Sequence, residues 1–181
     1  MSTGIKLKLD YSDLQFTPDD GRRYELVRGD LLVTPSPSRT HQRISKRLLR
    51  ILEDYFESRS IGEVFCAPTD VILAPRDVFV PDLVVVADPN DTAERGIERP
   101  PLLIVEILSP STRHADRRLK ATRYAELGVE HYWIVDPEAK RIECLRSESG
   151  AFRPVVEAEG NATLAHPDWD GLEIDLTVLW R

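Results

Sequence analysis

Two apolar runs of strand length each carry a single carboxylate. Asp82 lies within VFVPDLVVV (78–86), and Glu106 lies within LLIVEIL (102–108). A carboxylate at the centre of a buried strand costs several kcal/mol unless a metal ion or a cationic side chain pairs with it. The two acids therefore indicate either a shared site or buried salt bridges, and both readings remain open. Pro81 predicts an irregularity in its strand beside Asp82, because proline cannot donate to a sheet ladder.

The hydrophobic periodicity predicts two helices among strands. Apolar residues recur at helical spacing over 40–58, and a second helix runs over 109–127 and ends before Gly128. The predicted strands are two within 24–34, then 63–67, 70–73, 78–87, 102–108, 131–135, 141–146 and 152–157, with a strand or irregular tail at 172–180. This order predicts an α/β (α+β) fold in which helices flank a mixed β-sheet.

Length and composition narrow the class of protein. A chain of 181 residues, 41% hydrophobic and 30% charged, suits one globular domain. No apolar run approaches the ~20 residues of a membrane span, and the N-terminus lacks the apolar segment of a secretory signal. Two cysteines make no disulfide framework. We therefore expect a cytoplasmic protein without a membrane partner, and the absence of a glycine-rich phosphate motif predicts no nucleotide cofactor.

Basic residues are concentrated in two segments of an acidic chain. The net charge is −7, yet residues 39–50 contain five basic residues and no acid, and residues 113–123 contain five against Asp116. At 100° per residue, the basic side chains of the first helix lie opposite its apolar face; they are Arg43, Lys46, Arg47 and Arg50. The pattern is compatible with a basic binding face or with two solvated helix faces.

The second helix carries ionisable groups on its apolar side. Asp116, Lys120 and Arg123 fall within the arc that Leu119 and Tyr124 define at 100° per residue. Lys120 could therefore reach the end of the strand that carries Glu106. The alternatives are a lysine that extends to solvent or an Asp116–Lys120 pair at i, i+4.

Several segments together resemble a known family. They are YELVRGDLLV, SPSRTHQRIS, APTDVIL, VPDLVVV, IVEILSPST and a D-x3-K-x3-Y helix followed by GVEHYWIVDP, and they span roughly residues 24–137, with GLEIDL as a weaker match. The chain in this respect resembles the Uma-type endonucleases, a large bacterial family abundant in cyanobacteria, within the restriction-endonuclease-like PD-(D/E)xK superfamily. One departure is His131, where relatives usually carry an acid.

The resemblance implies a single restriction-endonuclease-like domain over 1–181, with a core at about 24–137 and a C-terminal hairpin and tail at 138–181. It implies a Mg²⁺-dependent endonuclease acting on DNA, in which Mn²⁺ can substitute, and a homodimer. Asp82, Glu106 and the Ile107 carbonyl would bind the metal, and Glu25 resembles an additional acid near it. Leu108 occupies the usual lysine position. Lys120 is expected to take its catalytic place.

Other residues receive secondary roles. On the DNA hypothesis, Arg43, Lys46, Arg47, Arg50 and Arg117 contact nucleic acid. Asp70 is a second-rank site candidate with a structural role as the alternative. His41 is interpreted as a polar residue at a helix start, with contact to substrate as the alternative, and His114 and His166 are interpreted as surface residues. The competing hypotheses are an inactive binding or regulatory module that keeps the fold, and a structural homo-oligomer whose buried acids pair with Lys120 and Arg123.

Overall fold

The computed structural model describes residues 7–181 and contains two six-stranded sheets and a small C-terminal hairpin. The helices are α1 (Arg39–Leu52), α2 (Ala121–Glu126) and α3 (Leu176–Leu179), with 3₁₀ segments at Tyr11–Phe16 and Pro89–Asp91 and π-helical segments at Glu53–Glu57 and Ala115–Lys120. The strands are β1 (Arg23–Val27), β2 (Asp30–Thr34), β3 (Glu63–Cys66), β4 (Val71–Ala74), β5 (Asp77–Phe79), β6 (Leu83–Val86), β7 (Thr92–Ala93), β8 (Gly96–Ile97), β9 (Leu103–Ile107), β10 (His131–Asp136), β11 (Arg141–Glu148), β12 (Ala151–Glu159), β13 (Thr163–Ala165) and β14 (Glu173–Asp175).

Strand order confirms the predicted mixed α+β architecture. The first sheet has the order β2-β1-β5-β4-β8-β7, and the second has the order β12-β11-β10-β9-β6-β3. Strands β9 and β10 pair in parallel, while β6 pairs with β9 in the antiparallel sense. Every residue of β6, β9 and β10 is buried, as their nearly continuous apolar sequence predicts.

The strand predicted over 78–87 is two strands. Phe79 ends β5 in the first sheet, and Leu83 begins β6 in the second. Pro81 lies in the break between them, as its missing N–H requires. Asp82 therefore lies at the start of a strand, where the chain passes from one sheet to the other, and not at the centre of one strand.

The first helix follows the predicted pattern. The Ser38 hydroxyl caps α1 by accepting a hydrogen bond from the His41 amide at 3.2 Å. Ile44, Leu48 and Leu52 are buried on its apolar face. The following π-helical segment Glu53–Glu57 buries Tyr55 and Phe56, so the helical backbone extends nearly to the predicted end at residue 58. No helix among residues 7–181 is both long enough and apolar enough to cross a membrane.

The second helix departs from ideal α-helical phasing. Its first part, Ala115–Lys120, is π-helical and runs directly into α2. A π-helix has more residues per turn than an α-helix, so an apolar arc computed at 100° per residue is wrong here. Leu119 is 40% exposed, whereas Asp116, Lys120 and Tyr124 are all buried. The polar members of the predicted arc thus point inward, and Leu119 points out.

An ion pair between Arg123 and Asp77 connects this helix to the first sheet. Arg123 donates to both carboxylate oxygens of Asp77, each at 2.8 Å, and the Arg28 amide donates to Asp77 at 2.9 Å. Burial alone raises the pKa of Asp77, but the bonds from Arg123 and the Arg28 amide outweigh it and hold the pKa below its usual value. Arg123 therefore has a structural partner of its own, distinct from the acids at 82 and 106.

We predict that Asp77→Asn lowers the free energy of unfolding by about 1.5–3 kcal/mol at pH 7, the usual range for hydrogen bonds to a charged group. Because the folded pKa is depressed, this stabilisation is complete above the unfolded pKa of about 3.9 and is lost as the pH falls through the folded value. Urea unfolding at neutral and acidic pH measures both effects. A variant deficit that is the same at both pH values would contradict this assignment.

Candidate active site

Four buried carboxylates from four parts of the fold meet in one cluster. Glu25 comes from β1, Asp82 from the sheet crossover, Glu106 from β9 and Asp116 from the π-helical segment. Each is at most 3% exposed. Register explains one pair: Leu83 lies opposite Val105, so the same antiparallel register places Asp82 opposite Glu106.

Protein donors fully engage the Asp82 carboxylate. Its Oδ1 accepts from Arg23 Nη1 at 2.6 Å, and its Oδ2 contacts His41 Nε2 at 2.9 Å and accepts from the Ile107 amide at 2.8 Å. Burial alone raises the pKa of Asp82, but His41, Arg23 and the Ile107 amide hold it below its usual value. Asp82 is thus an ionised carboxylate whose position is set by three separate parts of the chain.

Lys120 joins the other three carboxylates. Its Nζ lies 2.8 Å from Glu25 Oε1, 3.0 Å from Glu106 Oε1 and 3.3 Å from Asp116 Oδ1. Burial alone lowers the pKa of Lys120, but these carboxylates raise it well above the usual value. The predicted approach of Lys120 to Glu106 and the alternative Asp116–Lys120 pair are therefore both present in the structure.

Two further donors orient the glutamates. The Val80 amide donates to Glu25 Oε1 at 2.9 Å, and the Tyr124 hydroxyl donates to Glu106 Oε1 at 2.9 Å. Burial, together with the neighbouring carboxylates, raises the pKa of Glu106 well above its usual value despite Lys120. Burial also raises the pKa of Asp116. Burial therefore disfavours the ionised form of Glu106 and of Asp116.

The cluster carries more negative than positive charge. Four carboxylates face only two fixed cations, Arg23 and Lys120, so full ionisation of the carboxylates leaves two of them without a fixed cation. Asp116 Oδ1 is buried and has the Lys120 ammonium, at 3.3 Å, as its ion-pair partner. A buried charge excess of this kind is relieved by protons or by a bound cation. The charge of one divalent cation equals that of the two carboxylates that lack a fixed cation.

A cleft of about 390 Å³ opens above the carboxylates. Arg23, Asp82 and Lys120 line its base. Its walls are the segment before α1 and the segment after β9, which supply a row of hydroxyl groups on Ser36, Ser38, Thr40, Ser109, Ser111 and Thr112. The site therefore combines charged groups at the base with neutral hydrogen-bonding groups at the rim.

The basic residues proposed for nucleic-acid contact separate into two groups. Arg43, Lys46 and Arg50 are exposed on α1 and have no ion-pair partner in the described part of the chain. Arg47 instead donates to the carbonyls of Leu179 and Arg181, and Arg117 pairs with Glu143 at 2.7 Å. The second group therefore has structural contacts that compete with a ligand.

Two residues of the site were not predicted to contact its acids. His41 lies in the first turn of α1, as expected, but it is only 8% exposed and contacts Asp82 at 2.9 Å. Arg23 preceded the predicted hairpin and carried no recognisable signal. The sequence signal for His41 was its position three residues after the Ser38 cap. This position places it in the first turn of α1, beside the cleft. Asp70 accepts from the Tyr11 hydroxyl at 3.3 Å and does not line the cleft.

The fold and the cluster define a restriction-endonuclease-like α+β protein. Residues 10–178 match the model of the Uma2 family, described as "Putative restriction endonuclease", and the chain belongs to that family. Two uncharacterized proteins of Synechocystis sp. are similar: slr1290 is 29% identical over 72% of this chain and 69% of its own length, and sll1609 is 26% identical over 66% and 69%.

A crystal structure from Anabaena variabilis has the same fold. That protein, described as "a putative nuclease belonging to DUF820", superposes with a TM-score of 0.76 at 17% identity and covers 95% of this chain and 97% of its own. The neighbour shows the fold, and the family's description supports a nuclease-like function, and hence a nucleic-acid substrate, for the protein. Restriction-endonuclease-like proteins generally use divalent metal ions.

We predict that Lys120→Met destabilises the protein by about 3–5 kcal/mol, because it leaves buried carboxylates without their cation. The matched control is Lys46→Met on the exposed face of α1, for which we expect a change within about 0.5 kcal/mol. Denaturant unfolding measures both. Adding Glu106→Gln to Lys120→Met should recover part of the loss, and equal stability of wild type and Lys120→Met would exclude the ion-pair role.

Proposed function

We propose that the protein is a Mg²⁺-dependent endonuclease that hydrolyses phosphodiester bonds in DNA. The observation that carries this proposal is the buried cluster of four carboxylates with only two fixed cations, Arg23 and Lys120, at the base of the cleft. An oxygen-rich site with this deficit fits a hard divalent cation such as Mg²⁺, with Mn²⁺ as a substitute.

The donor set fits such an ion. Oε2 of Glu25 and Oε2 of Glu106 accept no hydrogen bond from residues 7–181, in contrast to their Oε1 atoms. In our proposal Asp82, Glu106 and the Ile107 carbonyl hold the metal, with Glu25 as an additional ligand. When bound, Mg²⁺ supplies Lewis-acid polarisation of the scissile phosphate and lowers the pKa of a bound water.

The remaining chemistry falls to cationic and polar side chains. Lys120, which contacts Glu106 at 3.0 Å, orients the attacking water and stabilises the charge that develops on the phosphate. Arg23 lines the cleft and neutralises Asp82, which reduces repulsion of an anionic backbone. The rim hydroxyls donate to phosphate oxygens, and the exposed Arg43, Lys46 and Arg50 attract the nucleic acid from the outside.

A second candidate function is a nucleic-acid-binding module without catalysis. It is favoured by the protein contacts that already satisfy Asp82 on both oxygens and by the Lys120 bridge between Glu25 and Glu106. Such contacts can hold a carboxylate cluster together without metal, and the cost of burying the charges is then met by ion pairing alone. A metal titration and a cleavage assay separate the two functions.

We predict that Mg²⁺ or Mn²⁺ binds the wild-type chain and supports nicking of a supercoiled plasmid. Asp82→Asn and Glu106→Gln should each weaken metal binding sharply and reduce the cleavage rate by at least ~10²-fold, the lower end of the effect of losing a group that stabilises developing charge. Asp70→Asn is the matched control, because Asp70 is an acid outside the cleft. Calorimetry and gel assays provide the measurements.

The outcomes distinguish the hypotheses. Metal binding and nicking that both variants abolish, with Asp70→Asn unchanged, support the endonuclease. DNA binding without metal affinity or cleavage supports the non-catalytic module. Cleavage of RNA or single-stranded DNA in place of plasmid would keep the chemistry and overturn the proposed substrate. Absence of metal binding, DNA binding and cleavage would leave a structural role for the carboxylates.

We also propose that the protein is a homodimer, because cutting two strands commonly requires paired nuclease subunits. We predict that static light scattering at micromolar concentration gives about twice the chain mass of 20.6 kDa. A mass equal to one chain across the concentration range would contradict the dimer while leaving single-strand nicking intact.

A further inference from the structure

A second group of metal-ligating side chains lies outside the cleft. His131 is the first residue of β10, and His166 and Asp168 belong to the connection between β13 and β14. One ligand atom from each of the three residues lies within 4.8 Å of the others. None of the three lines the cleft above Asp82 and Glu106. The expectation that His166 is a surface residue is wrong, since only 4% of it is exposed.

Both imidazoles contain an unsatisfied buried nitrogen. His131 is 3% exposed, and neither His131 Nδ1 nor His166 Nε2 has a hydrogen-bond partner among residues 7–181. Buried polar atoms are nearly always paired, so two orphans side by side indicate a missing partner. Burial lowers the pKa of His131, and burial together with His131 lowers the pKa of His166 to about 4. Both rings are therefore neutral at pH 7.

Asp168, the third candidate ligand, lies beside the two imidazole rings. Asp168 Oδ1 accepts from Arg146 at 2.7 Å, while its Oδ2 lies 4.0 Å from His131 Nδ1. On the other edge of the His131 ring, Glu130 lies 3.8 Å from Nε2. At 3.8 Å this contact is not a hydrogen bond, and Glu130 acts on His131 only through its charge. Asp168 is at the surface, so the group is accessible to an ion from solvent.

We propose that His131, His166 and Asp168 bind a borderline divalent transition metal of the Zn²⁺ type. Two neutral imidazoles and one carboxylate suit Zn²⁺, Co²⁺ or Ni²⁺ and not Mg²⁺, which prefers oxygen ligands. Tetrahedral ligands of Zn²⁺ lie about 3.4 Å apart, so the three side chains must close by roughly 1 Å. His166 Nδ1 accepts from the Asp168 amide at 3.2 Å, so the neutral ring carries its proton on Nε2, and ligation through Nε2 moves that proton to Nδ1 and breaks this contact.

The ion would tie the C-terminal hairpin to the centre of the second sheet. His131 lies on β10, next to β9, whereas His166 and Asp168 are more than thirty residues further along the chain. Trp169, next to Asp168 in the chain, packs against both imidazoles. Its ring centroid lies 4.3 Å from that of His166 and 4.4 Å from that of His131. The proposed site is therefore structural, and its aromatic surroundings provide a spectroscopic reporter.

Co²⁺ titration of the tag-free full chain in excess Mg²⁺ tests the proposal, because Mg²⁺ occupies hard oxygen sites and leaves nitrogen sites free. We expect one Co²⁺ per chain, visible Co²⁺ absorption, quenched tryptophan fluorescence, displacement by Zn²⁺ and a higher melting temperature. His131→Gln and His166→Gln should each weaken binding by at least tenfold. His114→Gln, at an exposed histidine, and His41→Gln, at the cleft, should leave the titration unchanged.

Asp168→Asn serves as a second test if either histidine variant fails to fold. Its side chain is at the surface and keeps an oxygen for Arg146, so the fold should persist while metal binding weakens. Wild type that binds no Co²⁺ or Zn²⁺ would overturn the proposal and leave a bridging water as the partner of the two nitrogens. A signal lost in His41→Gln but kept in His166→Gln would also overturn it, since the ion would then lie in the cleft.

Discussion

The ammonium group of Lys120 is the contact on which the arrangement of the site depends. It bridges Glu25 of the first sheet, Glu106 of the second sheet and Asp116 of its own helical segment. Without it, three carboxylates would be buried within a few ångströms of one another with no cation among them, at a cost of about 3–5 kcal/mol, which is a large part of the usual stability of a domain. The same ion pairs hold both sheets and the helix at fixed separations, and the cleft lies where these parts meet. Structural stability and candidate chemistry thus depend on one cation.

The sequence predicts those features of the site that disturb a regular pattern. Asp82 and Glu106 are recognisable because an acid within an apolar run violates the expected burial cost, and Lys120 because it falls on an inward helical arc. The positions of Arg23 and His41 break no expected burial pattern, since charged and polar residues are normal at the ends of hairpins and helices. Their contacts with Asp82 arise from tertiary approach, which one sequence does not encode locally.

The same distinction applies to the fold. The longer strands, the first helix and the hairpin predicted over 141–146 and 152–157 follow from periodicity and turn residues, and the structure confirms them. The short strands β7, β8 and β13 and the helix α3 in the C-terminal tail were not predicted. The division into two sheets does not follow, because apolar residues continue on both sides of Pro81 and periodicity cannot show that the chain changes sheets. The exposed Leu119 was missed for a related reason: a constant angle per residue cannot represent a helix whose turn widens.

The π-helical segment also determines which length changes this part of the chain can tolerate. Within Ala115–Lys120 the widened turn lets Asp116 and Lys120 face the cleft while Arg123 and Tyr124, one turn later, still meet Asp77 and Glu106. Removing one residue there would restore a regular α-helix, and every later side chain would rotate by about 100° relative to the earlier ones. A helix on the surface of a domain ordinarily tolerates substitutions and shifts in register. For this helix we expect insertions and deletions to be rarer among relatives than substitutions of its exposed side chains.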